Sequence, residues 1–243
     1  MVRKLPSRPS PKKRRTLPKS QAEAARRALP DQRRSTAAPP RRGRIGQEQE
    51  AAILRAAEAV FAERGYSGAT TAAIARQAGL PKPNVHYYFR TKEALYRAVL
   101  RGILQLWLSA TDTIVEGADP AEALRGYIRE KMRYTQHYPL ASKVFANELL
   151  HGAPQIREFL RGDMRKLIEA KARIIRGWIA AGRMAPVDPI HLFFVIWATT
   201  QTYADFDVQV AAVLGRPRLG AKELGDAAAT VETLILRGCG LER

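Results

Sequence analysis

The stretch that decides the fold covers residues 70–95 and reads TTAAIARQAGLPKPNVHYYFRTKEAL. Its first part predicts a short helix, with Thr70 as the N-cap and Gly79 at the position where a left-handed residue closes a helix. After the turn, a second short helix is predicted over residues 82–88. Two short helices joined in this way are typical of a helix-turn-helix, although a purely structural helical hairpin shares the pattern.

The second of these helices carries the residue types that read DNA. A recognition helix enters the major groove amino end first, so its first turn holds the groups that contact bases. Lys82 can donate to guanine and Asn84 can pair with adenine, while Pro83 is tolerated because first-turn amides have no partner within the helix. The aromatic run at 87–89 predicts packing of this unit onto the following helix. Candidate phosphate contacts come from helix starts and from the exposed side of the second helix: Thr70, Thr71, Lys92, His86 and one of the tyrosines.

The rest of the chain beyond residue 46 shows helical periodicity and no convincing alternating strand, which predicts an all-α fold of about nine helices. The first helix has an apolar stripe from Ile53 to Phe61 and stops at Gly65. Thr91 caps a long fourth helix, and Asp188, followed by proline, begins a later one. Glycine and proline breaks separate the remaining predicted helices, at about 119–137, 139–150, 154–181, 188–213 and 220–238.

Positive charge is concentrated at the amino end. The 243-residue chain has a formal net charge of +18, and residues 1–46 hold 15 Lys or Arg against two acidic side chains. This Pro- and Arg-rich arm has few apolar residues to bury, which predicts disorder. Its composition favours salt-sensitive contact with phosphates. The alternatives are a solvated tail with no dedicated partner, or upstream sequence that the mature protein lacks.

The cellular compartment is indicated by two features. No apolar run approaches the roughly 20 residues of a membrane span, and no apolar segment follows the basic amino end as it would in a secretory signal. The single cysteine, Cys239, excludes an internal disulfide and fits a reducing environment. We therefore expect a cytoplasmic protein.

A polar face on a late helix predicts a ligand pocket. Trp197, Gln201 and Asp205 recur every four residues and so lie on one face. A carboxylate accepts from a ring N–H, an amide both donates and accepts, and an indole stacks on a flat ring. This face therefore predicts a small, planar, hydrogen-bonding ligand, although the same residues could instead belong to the core or to a dimer interface. Further wall candidates are Trp107, Phe145, Tyr203 and Phe206.

Two other classes of protein are disfavoured. The four histidines show no metal-ligand spacing, and no Gly-rich phosphate loop or nucleophile elbow occurs, so we expect neither an enzyme nor a metal or cofactor. A non-specific architectural DNA-binding protein could use the basic arm, but it would need no helical bundle of this size.

The string Thr-Thr-x-x-Ile-Ala-x-x-Ala-Gly-Leu…Tyr-x-Phe-x-x-Lys-Glu-x-Leu, which begins at Thr70, resembles the amino-terminal signature of TetR-family transcriptional regulators. The resemblance implies a homodimeric, all-helical regulator, with a DNA-binding domain at about 47–95 and a ligand-binding, dimerising bundle at 96–243. It implies repression from a palindromic operator. Positions that contact DNA in the family correspond here to Thr70, Thr71, Lys82, Pro83, Asn84, His86 and Lys92.

Two residues depart from the family pattern. His86 stands where a phosphate-binding tyrosine is usual, so that role passes to His86 or to Tyr87. Pro81 replaces the usual serine. Neither departure changes the predicted fold.

The resemblance extends beyond the DNA-binding part. The segment REKMRYTQHYPLASKVFANELLHGAP, residues 129–154, is similar to the family's regulators of pyrimidine utilisation, and the similarity spans about 47–238. It implies uracil as the effector, with thymine as a related ligand, and target genes in pyrimidine breakdown. Helix four is then the expected link by which ligand binding shifts the two DNA-binding units out of register. The alternative within the family is a sensor of a drug, a lipid or another metabolite.

Overall fold

The computed structural model describes residues 43–242, and throughout that range the secondary structure is helical, with no strand. The prediction of an all-α fold is confirmed. Of the predicted basic arm, residues 1–42 lie outside the described range, and residues 44–46 already belong to the first helix. The helices are α1 Arg44–Gly68, α2 Thr71–Ala78, α3 Lys82–Tyr88, α4 Lys92–Ser109, α5 Pro120–His137, α6 Pro139–Leu150, α7 Arg157–Phe159, α8 Arg165–Ala180, α9 Pro189–Asp205, α10 Asp207–Val213 and α11 Ala221–Gly238.

The ends of the first helices follow the predicted capping residues. The Oγ1 atom of Thr70 accepts a hydrogen bond from the Ala73 amide at 3.1 Å, and that of Thr91 accepts one from the Ala94 amide at 3.0 Å. Gly79 has a φ of 66°, the left-handed conformation that closes α2. These local interactions set the helix ends, and packing of Ile74 and Val85 against α1 and α4 holds the helix-turn-helix in place.

Gly65 is the predicted stop of the first helix, and the backbone does break there. Its φ of 65° and ψ of 178° interrupt α1, and one further turn continues to Gly68. The predicted start at Asp188 is also confirmed, because its carboxylate accepts hydrogen bonds from the amides of Ile190 and His191 at 2.8 and 3.0 Å. Pro189 occupies the first turn of α9.

The predicted helix at 188–213 is two helices, because the chain leaves helical geometry at Phe206, where φ is −120° and ψ is 33°. The carboxylate of Asp207 then accepts a hydrogen bond from the Val208 amide at 3.0 Å and pairs with Lys143 of α6 at 2.8 Å. A contact between distant parts of the chain sets this break, so periodicity alone did not reveal it. The predicted helix at 154–181 is likewise divided into α7, a π-helical turn at Leu160–Met164 and α8.

Two clusters of buried apolar residues form the core. One joins α1, α2, α3 and α4 to α6, and the other joins α5, α8, α9 and α11. Trp107 on α4 packs against both clusters. The predicted domain boundary at residue 95 stays a prediction, but the packing runs across it along α4 and includes α6 with the DNA-binding unit. We call α1–α3 the head and the second cluster the bundle.

Within residues 43–242, no helix combines the length and the hydropathy that a membrane span requires.

Candidate DNA-binding surface and effector site

Helix α3 presents its first turn to solvent. Val85 is fully buried and anchors the helix to the core, while Lys82 and Pro83 are exposed and Asn84 is half-buried. The helix begins at Lys82 with no side-chain cap, and proline occupies its first turn. The predicted base-reading residues thus lie on an accessible, rigid helix end, and their contact with bases stays a prediction.

The aromatic run after this turn is divided between core and solvent. Phe89 is buried, and the Tyr88 hydroxyl donates to Gln49 of α1 at 3.0 Å, so the predicted packing role holds for these two. Tyr87 is 72% exposed, which contradicts that role for the first tyrosine, because it lies on the opposite side of α3 from Val85. Tyr87 is therefore the tyrosine available to a phosphate, beside the exposed His86.

The amine of Lys92 is already bound within the protein. It donates to the backbone carbonyls of Tyr66 and Ala69 at 2.8 and 3.0 Å, approaches that of Ser67 at 3.5 Å, and lies 4.5 Å from the centroid of the Tyr66 ring. An ammonium group has three donors, and three carbonyls meet them here. The phosphate contact expected of Lys92 is not tested, and this side chain has a structural role of its own. Thr70 likewise uses its hydroxyl as a cap, and Thr71 beside it is half-buried.

A polar cluster lies between α5, α6 and α9 and contains three of the predicted ligand residues. Asp205 accepts a hydrogen bond from the Ser142 hydroxyl at 2.5 Å. Lys131 is only 4% exposed, and its amine lies 4.5 Å from the centroid of the Trp107 ring. The edge of Trp107 meets Phe145 at a ring-centroid distance of 4.5 Å. We call these five residues the effector cluster.

Burial shifts the pKa values of the two charged residues of the effector cluster, Lys131 and Asp205. Loss of hydration lowers the pKa of Lys131 to about 8, and the nearby carboxylate of Asp205 opposes that shift. Burial also raises the pKa of Asp205, against the effects of the Ser142 hydrogen bond and the Lys131 charge. Within residues 43–242 the structure shows no hydrogen bond from the Lys131 amine to another residue, and no enclosed side-chain nitrogen or oxygen there lacks a partner, so this amine keeps some contact with solvent. The cluster thus offers a donor and an acceptor side by side on aromatic walls.

The other predicted ligand residues are placed differently. The indole of Trp197 donates to the Tyr127 hydroxyl at 2.7 Å, one helical turn before Lys131 on α5, and Gln201 lies half-buried between Trp197 and Asp205 on the shared face. The structure thus packs this face of α9 against α5, and a ligand pocket at this face stays a prediction.

Two candidates lie away from the effector cluster. Tyr203 is on the opposite face of α9 from Gln201 and lines a separate groove of about 540 Å³, formed with α10 and α11. Phe206, at the break between α9 and α10, is 57% exposed. Neither residue borders Lys131 or Ser142, because a shift of two residues on a helix turns a side chain to the other side.

Sequence reasoning missed Lys131 and Ser142. A signal for Lys131 was present, since Tyr127, Lys131 and Thr135 recur every four residues along the apolar stripe of α5, where a lysine is out of place. Ser142 gave no such signal. Its role depends on α6 lying beside the end of α9.

The exposed faces of the last helices are unusually apolar. A surface of this kind on a folded domain marks an interaction site. The exposed apolar side chains of α9, α10 and α11 and their junctions are Phe194, Val195, Phe206, Val208, Val213, Leu214 and Leu234.

Known proteins match both halves of the chain. The family described as bacterial regulatory proteins, tetR family, matches residues 53–99, and the YcdC-like protein, C-terminal region, matches residues 100–242. The chain belongs to the TetR family of transcriptional regulators. Membership makes it a DNA-binding regulator and not an enzyme, as the sequence predicted.

Individual relatives lie within the same family. The chain is 42% identical over 198 residues to the HTH-type transcriptional regulator RutR of Escherichia coli strain K12. The aligned residues make up 82% of this chain and 93% of RutR. It is 32% identical over 159 residues to the HTH-type transcriptional repressor KstR2 of Mycobacterium tuberculosis, covering 62% of this chain and 79% of that protein.

Solved structures show the same fold. The ketosteroid transcriptional regulator KstR2 of Mycobacterium tuberculosis superimposes with a TM-score of 0.64 at 22% identity, covering 79% of this chain and 94% of that one. AibR, in complex with isovaleryl coenzyme A and operator DNA, superimposes with a TM-score of 0.61 at 19% identity. The match covers 76% of this chain and 97% of AibR. TetR-family regulators bind DNA operators and small-molecule effectors, typically as dimers.

Proposed function

We propose that this TetR-family regulator represses genes of pyrimidine catabolism, and with them nitrogen metabolism, from a palindromic operator in the bacterial cytoplasm. It binds that operator as a homodimer and leaves it when uracil, or the related thymine, occupies the effector cluster. The likeness to RutR supports the pyrimidine as effector. The observation that carries the proposal is the buried Lys131, with its amine over the Trp107 ring, near the half-buried carboxylate of Asp205.

The chemistry of the pair matches one edge of a uracil ring. That edge presents a carbonyl oxygen next to a ring N–H. The ammonium of Lys131 donates to the carbonyl, and the carboxylate of Asp205 accepts from the N–H. In this proposal Trp107 and Phe145 supply apolar walls, and Gln201, half-buried on the same face of α9 as Asp205, binds the second carbonyl. We take this edge to be the C4 carbonyl and the N3–H of uracil. Cytosine has an amino group and an unprotonated N3 at these positions, so it would leave the half-buried Asp205 facing a lone pair.

Ligand binding changes the partners of Asp205. The Asp205 carboxylate accepts a hydrogen bond from Ser142 at 2.5 Å. In the proposed complex a ring N–H replaces or shares that hydrogen bond, and a ring carbonyl accepts from the Lys131 amine. Hydrogen bonds to charged groups are stronger than those between neutral groups.

The test measures uracil binding by calorimetry and by the rise in melting temperature, which a ligand of the native state must produce. Asp205→Asn is expected to weaken uracil binding at least tenfold, since an amide removes the charge that accepts from the ring N–H. Asp207→Asn is the matched control, because its carboxylate lies two residues away and pairs with Lys143 outside the cluster. Equal affinity for uracil in both variants would reject the site.

Selectivity gives an independent check of the effector. Uracil and thymine should stabilise the wild-type protein and release it from its operator, whereas cytosine should do neither. If uracil fails and a lipid or drug-like compound raises the melting temperature, the effector is a different small molecule. If random DNA competes as well as a palindromic operator, the proposal of sequence-specific repression is wrong.

A further inference from the structure

The amine of Lys92 lies where three helices of the DNA-binding part meet. Lys92 is the first residue of α4, and its amine donates to the carbonyls of Tyr66 and Ala69 at 2.8 and 3.0 Å and approaches that of Ser67 at 3.5 Å. Tyr66 and Ser67 belong to the last turn of α1, and Ala69 precedes Thr70, the cap of α2. One ammonium group therefore joins the start of α4 to the end of α1 and the start of α2.

The contacts of this amine are ones that the protein would lose at a cost. The last carbonyls of a helix have no partner within it, and a cation is favoured at that end of the helix dipole. Ala69 is only 1% exposed, so its carbonyl has little access to water. On its other side the amine lies 4.5 Å from the centroid of the Tyr66 ring, which packs against Tyr96 at a centroid distance of 4.9 Å. Turning the amine of Lys92 towards DNA would break these contacts together.

Arg90, the basic residue two positions before Lys92, has the opposite surroundings. It lies in the turn between α3 and α4 and is exposed. Within residues 43–242 its guanidinium has neither a hydrogen bond nor an ion pair. Arg44, Arg64 and Arg97 on the flanking helices, by contrast, each pair with a glutamate. The charge of Arg90 is therefore available to a partner outside the chain.

The turn that carries Arg90 is held on both sides. Phe89, before it, is buried in the core, and Thr91, after it, accepts a hydrogen bond from the Ala94 amide at 3.0 Å. The turn directly follows α3, the second helix of the helix-turn-helix, which lies in the major groove in DNA-binding proteins of this kind. A fixed backbone loses little entropy on binding, and a guanidinium binds a phosphate through two parallel hydrogen bonds.

We infer that Arg90 makes the phosphate contact at the turn between α3 and α4, and that Lys92 is a positioning residue whose amine stays on the carbonyls of α1 and of the residue before α2. The inference rests on DNA binding by the family and not on the pyrimidine effector. Lys92 then has a different role from the phosphate contact that the family resemblance implies. Arg90 adds a contact that releases counterions from DNA, and Lys92 sets the geometry of the helices that meet the DNA.

The salt dependence of DNA binding tests the role of Arg90. Each phosphate contact that is lost lowers the slope of log K against log salt concentration by about 0.9, or by about 1.8 for a dimer. The full-length protein is titrated with the palindromic DNA that it selects from a random pool, at a series of salt concentrations. Arg90→Gln is expected to lower the slope by this amount. The matched control is Arg101→Gln, an exposed arginine about 13 Å further along α4 than Lys92, which should keep the wild-type slope. An unchanged slope in Arg90→Gln, or an equal fall in both variants, overturns the assignment.

Lys92→Met tests the positioning role, because it removes the charge and keeps the length of the side chain. We expect a lower melting temperature, and an operator Kd at least threefold weaker at temperatures where the variant is fully folded, with the wild-type salt slope. Ile175→Val removes one carbon from the fully buried core of the bundle, so it should lower the melting temperature and keep the wild-type Kd. If Lys92→Met lowers the slope as Arg90→Gln does, or keeps the wild-type Kd, Lys92 is not a positioning residue.

The same measurement works on DNA of any sequence, since a phosphate contact does not read bases. If the protein selects no operator, the proposal of sequence-specific repression is wrong, and the slopes are then measured on a random duplex. Arg90→Gln must lower the slope there too. If Lys92→Met does not fold, the comparison of Arg90→Gln with Arg101→Gln decides which residue contacts the phosphate.

Discussion

Lys131 is the residue that most distinguishes this protein from an ordinary helical bundle. A buried ammonium is costly unless a partner compensates it, and here the partners are a ring face and a half-buried carboxylate. Its pKa of about 8, against 10.5 for an exposed lysine, corresponds to a penalty on the order of 3 kcal/mol. Stability alone would favour an apolar side chain here, so a ligand-binding role accounts best for the lysine.

Lys131→Met should therefore raise the melting temperature at pH 7 and abolish the response to uracil. The charged form of Lys131 is disfavoured in the folded protein, so the penalty is full below pH 8 and disappears as the pH rises from about 8 to 10.5. The stability advantage of Lys131→Met should shrink over that window, as thermal denaturation at a series of pH values will show. Lys166→Met is the control, since Lys166 is an exposed lysine on α8 outside the effector cluster. If Lys131→Met were less stable than the wild-type protein at pH 7, the account of Lys131 as a destabilising residue would be wrong.

Helix α3 is short, and its position depends on single residues at each end. Val85 and Phe89 hold it in the core, and prolines at and before its first turn stiffen the approach to DNA. We expect a helix this short to place one or two side chains in the major groove, while the remaining contacts go to the DNA backbone. The capping hydroxyls of Thr70 and Thr91 hold the two neighbouring helices in place.

Lys82→Ala is expected to relax base preference at one position in each half-site, at a cost of about 1–3 kcal/mol for the preferred base. The physical reason is the loss of a donor to guanine. Binding to a panel of operators with single base changes, measured at fixed salt, separates the possibilities. If all sequences weaken equally and the salt dependence falls by about one counterion, Lys82 contacts a phosphate only.

The proposed homodimer sets two heads at a fixed separation. If one head binds one half-site, affinity and operator symmetry both depend on that dimer. The exposed apolar side chains of α9, α10 and α11 are the surface that we propose for it. Salt bridges of Arg125 and Arg129 with Glu232 join α5 to α11 within the bundle.

Leu234→Glu should convert the dimer to monomers at micromolar concentration and weaken operator binding at least tenfold. Leu234 is 66% exposed on α11, and a carboxylate in an apolar interface loses its hydration without gaining a partner. Sedimentation velocity measures the change. Leu150→Glu, another exposed leucine at the end of α6, is the control and should stay dimeric. A dimeric Leu234→Glu would place the interface elsewhere.

The local sequence determined the helices and the helix-turn-helix of this protein. Caps at Thr70, Thr91 and Asp188 and the left-handed Gly79 act over four residues or fewer, so they are readable without a structure. The shared face of Trp197 and Asp205 was readable for the same reason.

Tertiary structure decided which side chains meet. Four features depend on contacts between segments tens of residues apart. They are the break at Phe206, the inward position of Lys131, the hydrogen bond of Ser142 to Asp205 and the hydrogen bonds of Lys92 to backbone carbonyls. Helical periodicity reports which face of a helix is buried, but it does not report which other helix covers that face. For that reason the sequence predicted an effector site on α9, and only the packing of α5 and α6 against that helix revealed Lys131 and Ser142 beside Asp205.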